Sequence, residues 1–309
     1  MSKSVLTAPH FHDEAAALAY VEGRLWPQGP SCPHCGNADT AKIGVLGGKS
    51  TRPGVRKCYA CRKPFSVKVG TIFESSHVPL HLWLQAIHLI CSSKKGMSSN
   101  QLHRVLGITL KSAWFLSHRI RFAMKRTGGD PLGGAGKHVE ADETYIGFKK
   151  GVPVKAAFHH KRAVVSLVER GGEVRSFHVE RTNREIVEKI VAENVAREST
   201  LNTDEAGVYK AVGRTFADHQ VVSHAKGEYA RGTANTNTVE GFYSIFKRGM
   251  RGVYQHCGER HLHRYLSEFD FRYNSRTALG IDDAARADKA LKGVVGKRLT
   301  YATTNGARA

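Results

Sequence analysis

The fold class legible in this sequence is mixed α/β, with a zinc ribbon and a helix-turn-helix segment ahead of the α/β domain. Three observations predict it. Two Cys-x-x-Cys pairs, Cys32 with Cys35 and Cys58 with Cys61, stand in a Gly- and Lys-rich stretch that lacks helical periodicity. Residues 80–126 then carry apolar positions at helical spacing, with two breaks. Beyond a glycine-rich stretch, short β-type runs alternate with helical ones, the order of a central sheet flanked by helices.

At 309 residues the chain is long enough for two or three domains, and 41% hydrophobic residues suffice for real cores. The 47 Lys and Arg against 27 Asp and Glu leave a net charge of +20. A balance that basic implies a polyanionic partner, nucleic acid before an anionic membrane. No apolar run approaches the roughly 18 residues of a membrane span, and the N-terminus lacks the apolar segment of a secretory signal. The expectation is a soluble, cytoplasmic, nucleoid-associated protein. We divide the chain into an N-terminal helix (14–26) and ribbon (1–74), a helix-turn-helix segment (75–126) and a glycine-rich linker (127–136). An α/β domain (137–280) and a basic tail without regular structure (281–309) follow.

In a reducing compartment, paired Cys-x-x-Cys turns point to metal rather than disulfides. Cys32, Cys35, Cys58 and Cys61 offer four thiolates to one tetrahedral Zn²⁺, with iron the chemical runner-up. Such a closed site is structural. Its surroundings are basic (Lys49, Arg52, Arg56, Lys57, Arg62, Lys63, Lys68), suited to phosphate contact.

Helices are expected over 81–91, 99–106 and 110–125. In the second, Ser98 or Ser99 is the N-cap and Leu102, Val105 and Leu106 form the apolar stripe. Gly107-Ile108-Thr109 makes the turn. The third turns Ala113, Trp114, Leu116, Ile120 and Ala123 inward, leaving Lys111, Arg119, Arg121 and Lys125 to face the major groove of double-stranded DNA. A three-helix linker without DNA contact is the alternative.

In the α/β domain, strands are expected over 138–147, 163–169, 174–180, 200–204 and 220–224, and helices over 183–196, 238–248 and 261–274. Three acids stand in apolar surroundings. Asp142 lies on the first strand, which we expect to bury one face and present Asp142 on the other. Asp204 ends a β-run, and Glu240 sits in the first turn of a helix. Glu240, Ser244, Lys247 and Arg251 share one helical face. Converging carboxylates need divalent cations, and hard oxygen ligands suit two Mg²⁺ or Mn²⁺ ions. Lys247, with Arg248 beside it, would hold a flanking phosphate. The bland alternatives are an edge-strand charge at Asp142, a turn residue at Asp204, and a capping box formed by Asn237 and Glu240.

Asp204 and Glu240 are separated by 35 residues and Lys247 follows Glu240 by seven, which resembles the DDE signature of insertion-sequence transposases. The stretches CPHCG, EADETYIG, TDEAGVY, HAKGEYARG, NTNTVEGFYSIFKRG and FRYNSR are similar to the ISXO-like group with an N-terminal zinc ribbon, over residues 20–276. The resemblance implies an RNase H-like catalytic domain, Mg²⁺ dependence, recognition of terminal inverted repeats and a homo-oligomeric synaptic complex. Some members of that group use Asn at the third acidic position, so Asn237 is a second candidate there. The rival from another class is a non-catalytic DNA-binding regulator derived from a transposase.

Overall fold

The computed structural model describes residues 4–154 and 158–300. They fall into two compact units, one joining the chain up to residue 125 with the part from 282 onward, the other spanning 126–281.

In the first unit, α1 (Glu14–Leu25) starts at Asp13, whose carboxylate accepts from the Ala16 N–H at 2.7 Å. The ribbon is a three-stranded antiparallel sheet of β1 (Ile43–Val45), β2 (Arg56–Cys58) and β3 (Pro64–Phe65). Its buried cluster is Cys32, Cys58 and Phe65, with Trp26, Ile43, Cys61 and Val69 partly buried against it, a small core to which a bound metal would add folding energy. Three helices follow: α2 (Leu80–Ser92), α3 (Ser99–Leu106) and α4 (Leu110–Met124). Ser98 caps α3 and Thr109 caps α4 through their side-chain oxygens, and between them Gly107 takes φ 64°, a conformation only glycine adopts cheaply. Leu102 and Leu106 are buried as the apolar stripe requires, but Val105 is 54% exposed, so that stripe is narrower than the sequence predicts.

The second unit holds a five-stranded sheet. Its elements are β4 (His138–Ile146), β5 (Arg162–Glu169), β6 (Val174–Val179), α5 (Arg184–Asn194), β7 (Thr200–Thr203), α6 (Lys210–Gly213) and β8 (Asp218–Val221). A small hairpin, β9 (Ala230–Arg231) and β10 (Ala234–Asn235), leads into α7 (Asn237–Gly249) and α8 (Leu262–Tyr273). The strand order is β6-β5-β4-β7-β8, the first three antiparallel, with β7 parallel to β4 and β8 parallel to β7. This is the RNase H-like arrangement.

Alternation along the strands builds two cores. Val139, Ala141, Val165 and Leu167 pack with Val187 and Val191 of α5. Val164, Val168 and Val174 pack with Val239, Phe242 and Phe246 of α7 and with Leu266 and Phe269 of α8. The central strand is therefore covered on both faces, and Asp142 lies under a helix rather than on an open face. Asn274 braces α8 on the sheet by mimicking a strand: its Oδ1 accepts from Val174 N at 2.7 Å and its Nδ2 donates to Val174 O at 2.9 Å. The glycine-rich stretch is anchored too. Leu132 is buried and exchanges backbone bonds with Asn194 and Ala196, and a Cβ on Gly133 would meet Ser199 Oγ at 2.1 Å.

Residues 282–300 return to the first unit. The stretch expected to lack structure carries α9 (Asp283–Lys292), N-capped by Asp282 and burying Ala290 and Leu291 against α2 and its neighbours. Arg286 donates to Cys91 O at 2.9 Å, and Lys297 Nζ donates to Ala123 O at 2.7 Å and Lys125 O at 2.6 Å, closing the C-terminal end of α4. The tail beyond residue 300 lies outside the described residues. A fragment ending at Arg126 would leave this face of α2 in water and lose those bonds. We expect it to melt well below the first unit of the full chain and to lose helical circular dichroism; a fragment as stable as the full chain contradicts the arrangement.

Candidate active site

The four ribbon cysteines meet at one point. Cys32 Sγ lies 3.7 Å from Cys61 Sγ and Cys35 Sγ 3.7 Å from Cys58 Sγ, with all four sulfurs within 4.8 Å of one another. A tetrahedron of Zn–S bonds of about 2.3 Å separates its sulfurs by about 3.8 Å. The spacing fits zinc, and it is far too long for the roughly 2.05 Å of a disulfide. Of the surrounding cations, Arg56 pairs with Glu22 at 2.9 Å, while Lys49, Arg52, Arg62 and Lys63 are exposed.

On α4 the structure corrects the expected DNA-facing set. Arg119 is 5% exposed, and its Nη1 donates to Ile72 O at 2.7 Å and Glu74 O at 2.8 Å while Nε reaches Leu299 O at 3.1 Å. Arg121 is 1% exposed and donates to Ser117 Oγ at 3.0 Å. Both guanidinium groups are spent inside the fold. Segments remote in sequence, around residues 72–74 and 299, hold Arg119, so helical periodicity alone could not reveal its direction. Lys111 and Lys125 remain on the surface, as does Arg104 of α3.

In the second unit the three acids lie on three different elements. The parallel register pairs Glu140 with Asn202, so continuing it by two residues sets Asp142 beside Asp204, just past the end of β7. Asp204 accepts from Ala206 N at 3.0 Å, a local turn bond that occupies one oxygen. Burial, then the charges of Glu143, Asp204 and Glu240, push the Asp142 carboxyl up to about 7. Burial also raises Asp204, aided by Glu205 and Glu240. The acids thus feel one another's charge. Among the described residues, though, only the cysteines form a group of three or more such ligands within 4.8 Å. Lys247 is half-buried; burial lowers its pKa, the charge of Asp142 opposes this, and Arg251 and Lys161 add to it. Arg248 is exposed and donates to Ser244 O.

What positions α7 is a residue whose importance the sequence does not reveal. Glu140 is fully buried, on the same face of β4 as Asp142. Its Oε2 accepts from Thr238 N at 2.8 Å and Val239 N at 2.9 Å, and its Oε1 accepts from Thr238 Oγ1 at 2.8 Å and Arg170 Nε at 2.6 Å. A strand carboxylate therefore satisfies the open amides at the start of α7, where the helix dipole favours negative charge. Arg170 goes on to hold Thr233 O and Asn235 O of the hairpin before the helix. The capping box weighed as the alternative reading of Asn237 and Glu240 does not form: the N-cap is Thr236, and Asn237 is the exposed first residue of the helix. Glu240, 46% exposed at its side chain, instead accepts from Thr236 Oγ1 at 2.8 Å and lies 3.5 Å from His224 Nε2. Glu205 holds that histidine in place by accepting from the backbone N–H groups of His224 and Ala225.

Residues 131–274 match the ISXO2-like transposase domain and residues 12–64 the transposase zinc-ribbon domain. A protein of Halobacterium salinarum, described as an uncharacterized protein in transposable element ISH50, is 25% identical over 283 residues, which cover 85% of this chain and 91% of that one. A solved structure, the simian T-cell lymphotropic virus intasome in complex with PP2A regulatory subunit B56 gamma, contains a chain that is 14% identical. It covers 55% of this chain and 63% of its own at a TM-score of 0.27, too loose a likeness to carry an argument. No helix among the described residues is long and apolar enough to cross a membrane.

The raised Asp142 carboxyl has a consequence for stability. An acid whose folded pKa lies above its unfolded value stabilises the fold fully below the unfolded value, and that contribution is lost as pH rises through the folded one. Without added divalent cation, the thermal midpoint of the second unit should therefore fall as pH rises from the ordinary carboxylate range through about 7. Asp142→Asn should flatten this fall. A pH profile identical in wild type and Asp142→Asn would contradict the placement.

Proposed function

We propose, for a chain that joins a transposase zinc ribbon to an ISXO2-like transposase domain, that it binds terminal inverted repeats, cleaves the transposon 3′ ends and transfers them into target DNA. The observation that carries this reading is the trio of acids on β4, after β7 and on α7, with Lys247 close enough to Asp142 for their charges to interact.

The donor set fits hard divalent cations. Burial first, and then the charges of Glu143, Asp204 and Glu240, push the Asp142 carboxyl up to about 7, and oxygen ligands with partial hydration suit Mg²⁺ or Mn²⁺. Asp142, Asp204 and Glu240 would hold two such ions, which when bound activate an attacking water or 3′-hydroxyl and stabilise the leaving oxygen. The residues of the chain act by position. Glu140 keeps α7 against β4, which sets Glu240 and Lys247 over Asp142 before substrate arrives. Lys247 and the exposed Arg248 would hold phosphates flanking the scissile bond. Exposed Lys111 and Lys125 of the first unit would meet the phosphate backbone of double-stranded DNA, with zinc holding the ribbon beside them. Joining two ends in one complex calls for a homo-oligomer, and a DNA substrate places the protein at the nucleoid.

Glu240 is favoured over Asn237 as the third ligand, because its charge acts on both Asp142 and Asp204. In a strand-transfer assay on labelled inverted-repeat ends with Mg²⁺, Asp142→Asn, Asp204→Asn and Glu240→Gln should each cut joined product by at least about a thousandfold while DNA binding persists. Asn237→Ala should stay active. An active Glu240→Gln beside a dead Asn237→Ala would move the third ligand to Asn237. Binding without any chemistry by the wild-type chain would leave only the regulator.

A further inference from the structure

The loop between β4 and β5 holds apolar side chains that neither core uses. Phe148, Val152, Val154 and Phe158 are 61%, 40%, 74% and 54% exposed, four of the thirteen large apolar side chains standing in solvent among the described residues. Such clustering in a soluble chain marks a contact surface. The rings are held by built structure at the base of the loop. Phe158 stacks on Tyr145 at 4.6 Å and 17°, and Phe148 on His160 at 5.5 Å and 17°. Lys149 N donates to His160 O at 2.7 Å, Lys161 N to Phe158 O at 2.8 Å, and Arg162 Nη2 to Phe148 O at 2.9 Å.

Cations surround these rings. Lys161 Nζ lies 5.0 Å from the Phe158 ring centre, and Lys149 and Lys150 follow Phe148 directly. The loop leaves the strand that carries Asp142. Four residue steps of β4 separate Asp142 from Ile146, about 13 Å of strand, and Lys161 is near enough to Lys247 to affect its titration. Exposed rings, each backed on one face by Tyr145 or His160 and set among lysines, are what unpaired bases and their phosphates require. A duplex, whose base faces are stacked away, uses only the charges.

We propose that the base of the β4–β5 loop is a second DNA site, at which Phe148 and Phe158 stack on unpaired bases of a strand leading to the Asp142 carboxylate while Lys161 holds its phosphate. The site deepens the reading of the second unit as a phosphodiester-transfer domain and rests on it.

The test uses the full chain, a labelled oligothymidylate of roughly ten nucleotides, and a salt series. The paired substitution Phe148→Leu and Phe158→Leu keeps apolar bulk but removes the stacking faces. It should raise the Kd for the oligonucleotide about tenfold or more, at an unchanged salt slope and with unchanged duplex binding. Lys161→Gln should instead reduce the salt slope by about 0.7. Unchanged oligonucleotide affinity in the paired variant overturns the proposal. So does a change confined to sedimentation mass, which would make the loop a contact between copies of this chain. Cleavage of inverted-repeat ends by the wild-type chain, measured in parallel, separates the outcomes: cleavage with unchanged affinity sinks only the loop site, whereas no cleavage sinks the functional reading itself.

Discussion

The second unit depends on one buried carboxylate. Glu140 replaces water at the first turn of α7, neutralises Arg170 and ties the helix to the strand that carries Asp142 two residues on. Removing one partner of a buried ion pair typically costs about 3–5 kcal/mol, because the other is left charged and unpaired. Here the loss would also free the helix that bears Glu240 and Lys247. Fold stability and the geometry of the acidic cluster thus share a single interaction, and no loop rearrangement is needed to bring the helix to the sheet.

That rigidity has an electrostatic cost, which the chemistry uses. Burial under α7, and then the charges of Glu143, Asp204 and Glu240, push the Asp142 carboxyl up to about 7. Tyr243 Oη donates to the Asp142 carbonyl at 2.6 Å and Tyr209 Oη to Glu143 Oε2 at 2.7 Å, so the strand cannot relax away from the crowding. A site that favours a proton for want of positive charge is one a divalent cation would stabilise. Lys247 supplies only part of that charge.

Much of this was legible in the sequence where the determinants are local. The four cysteines, the Gly107 turn with the Ser98 cap before it and the five strands follow from short-range pattern, and the strands lie within a few residues of their expected places. Features set by distant contacts were not legible. Arg119 read as part of a basic helix face until residues 72–74 and 299 take its guanidinium, and Arg121 until it turns inward to Ser117. The basic tail read as structureless because the partner that orders α9 is α2, nearly two hundred residues earlier. Glu140 read as one more acid in an alternating strand, because its partners at Arg170, Thr238 and Val239 are separated from it by 30, 98 and 99 positions. Asn237 with Glu240 matched a capping pattern, yet the cap is supplied by the sheet.

Amide hydrogen exchange at Thr238 and Val239 tests this account most directly. First-turn amides of a helix have no partner within the helix and ordinarily exchange quickly. If Glu140 accepts from both, they should exchange as slowly as the central strand β4 and become fast in Glu140→Gln while β4 stays protected. Fast exchange at both amides in the wild-type protein would contradict the tie between β4 and α7, and with it the preset geometry of the acidic site.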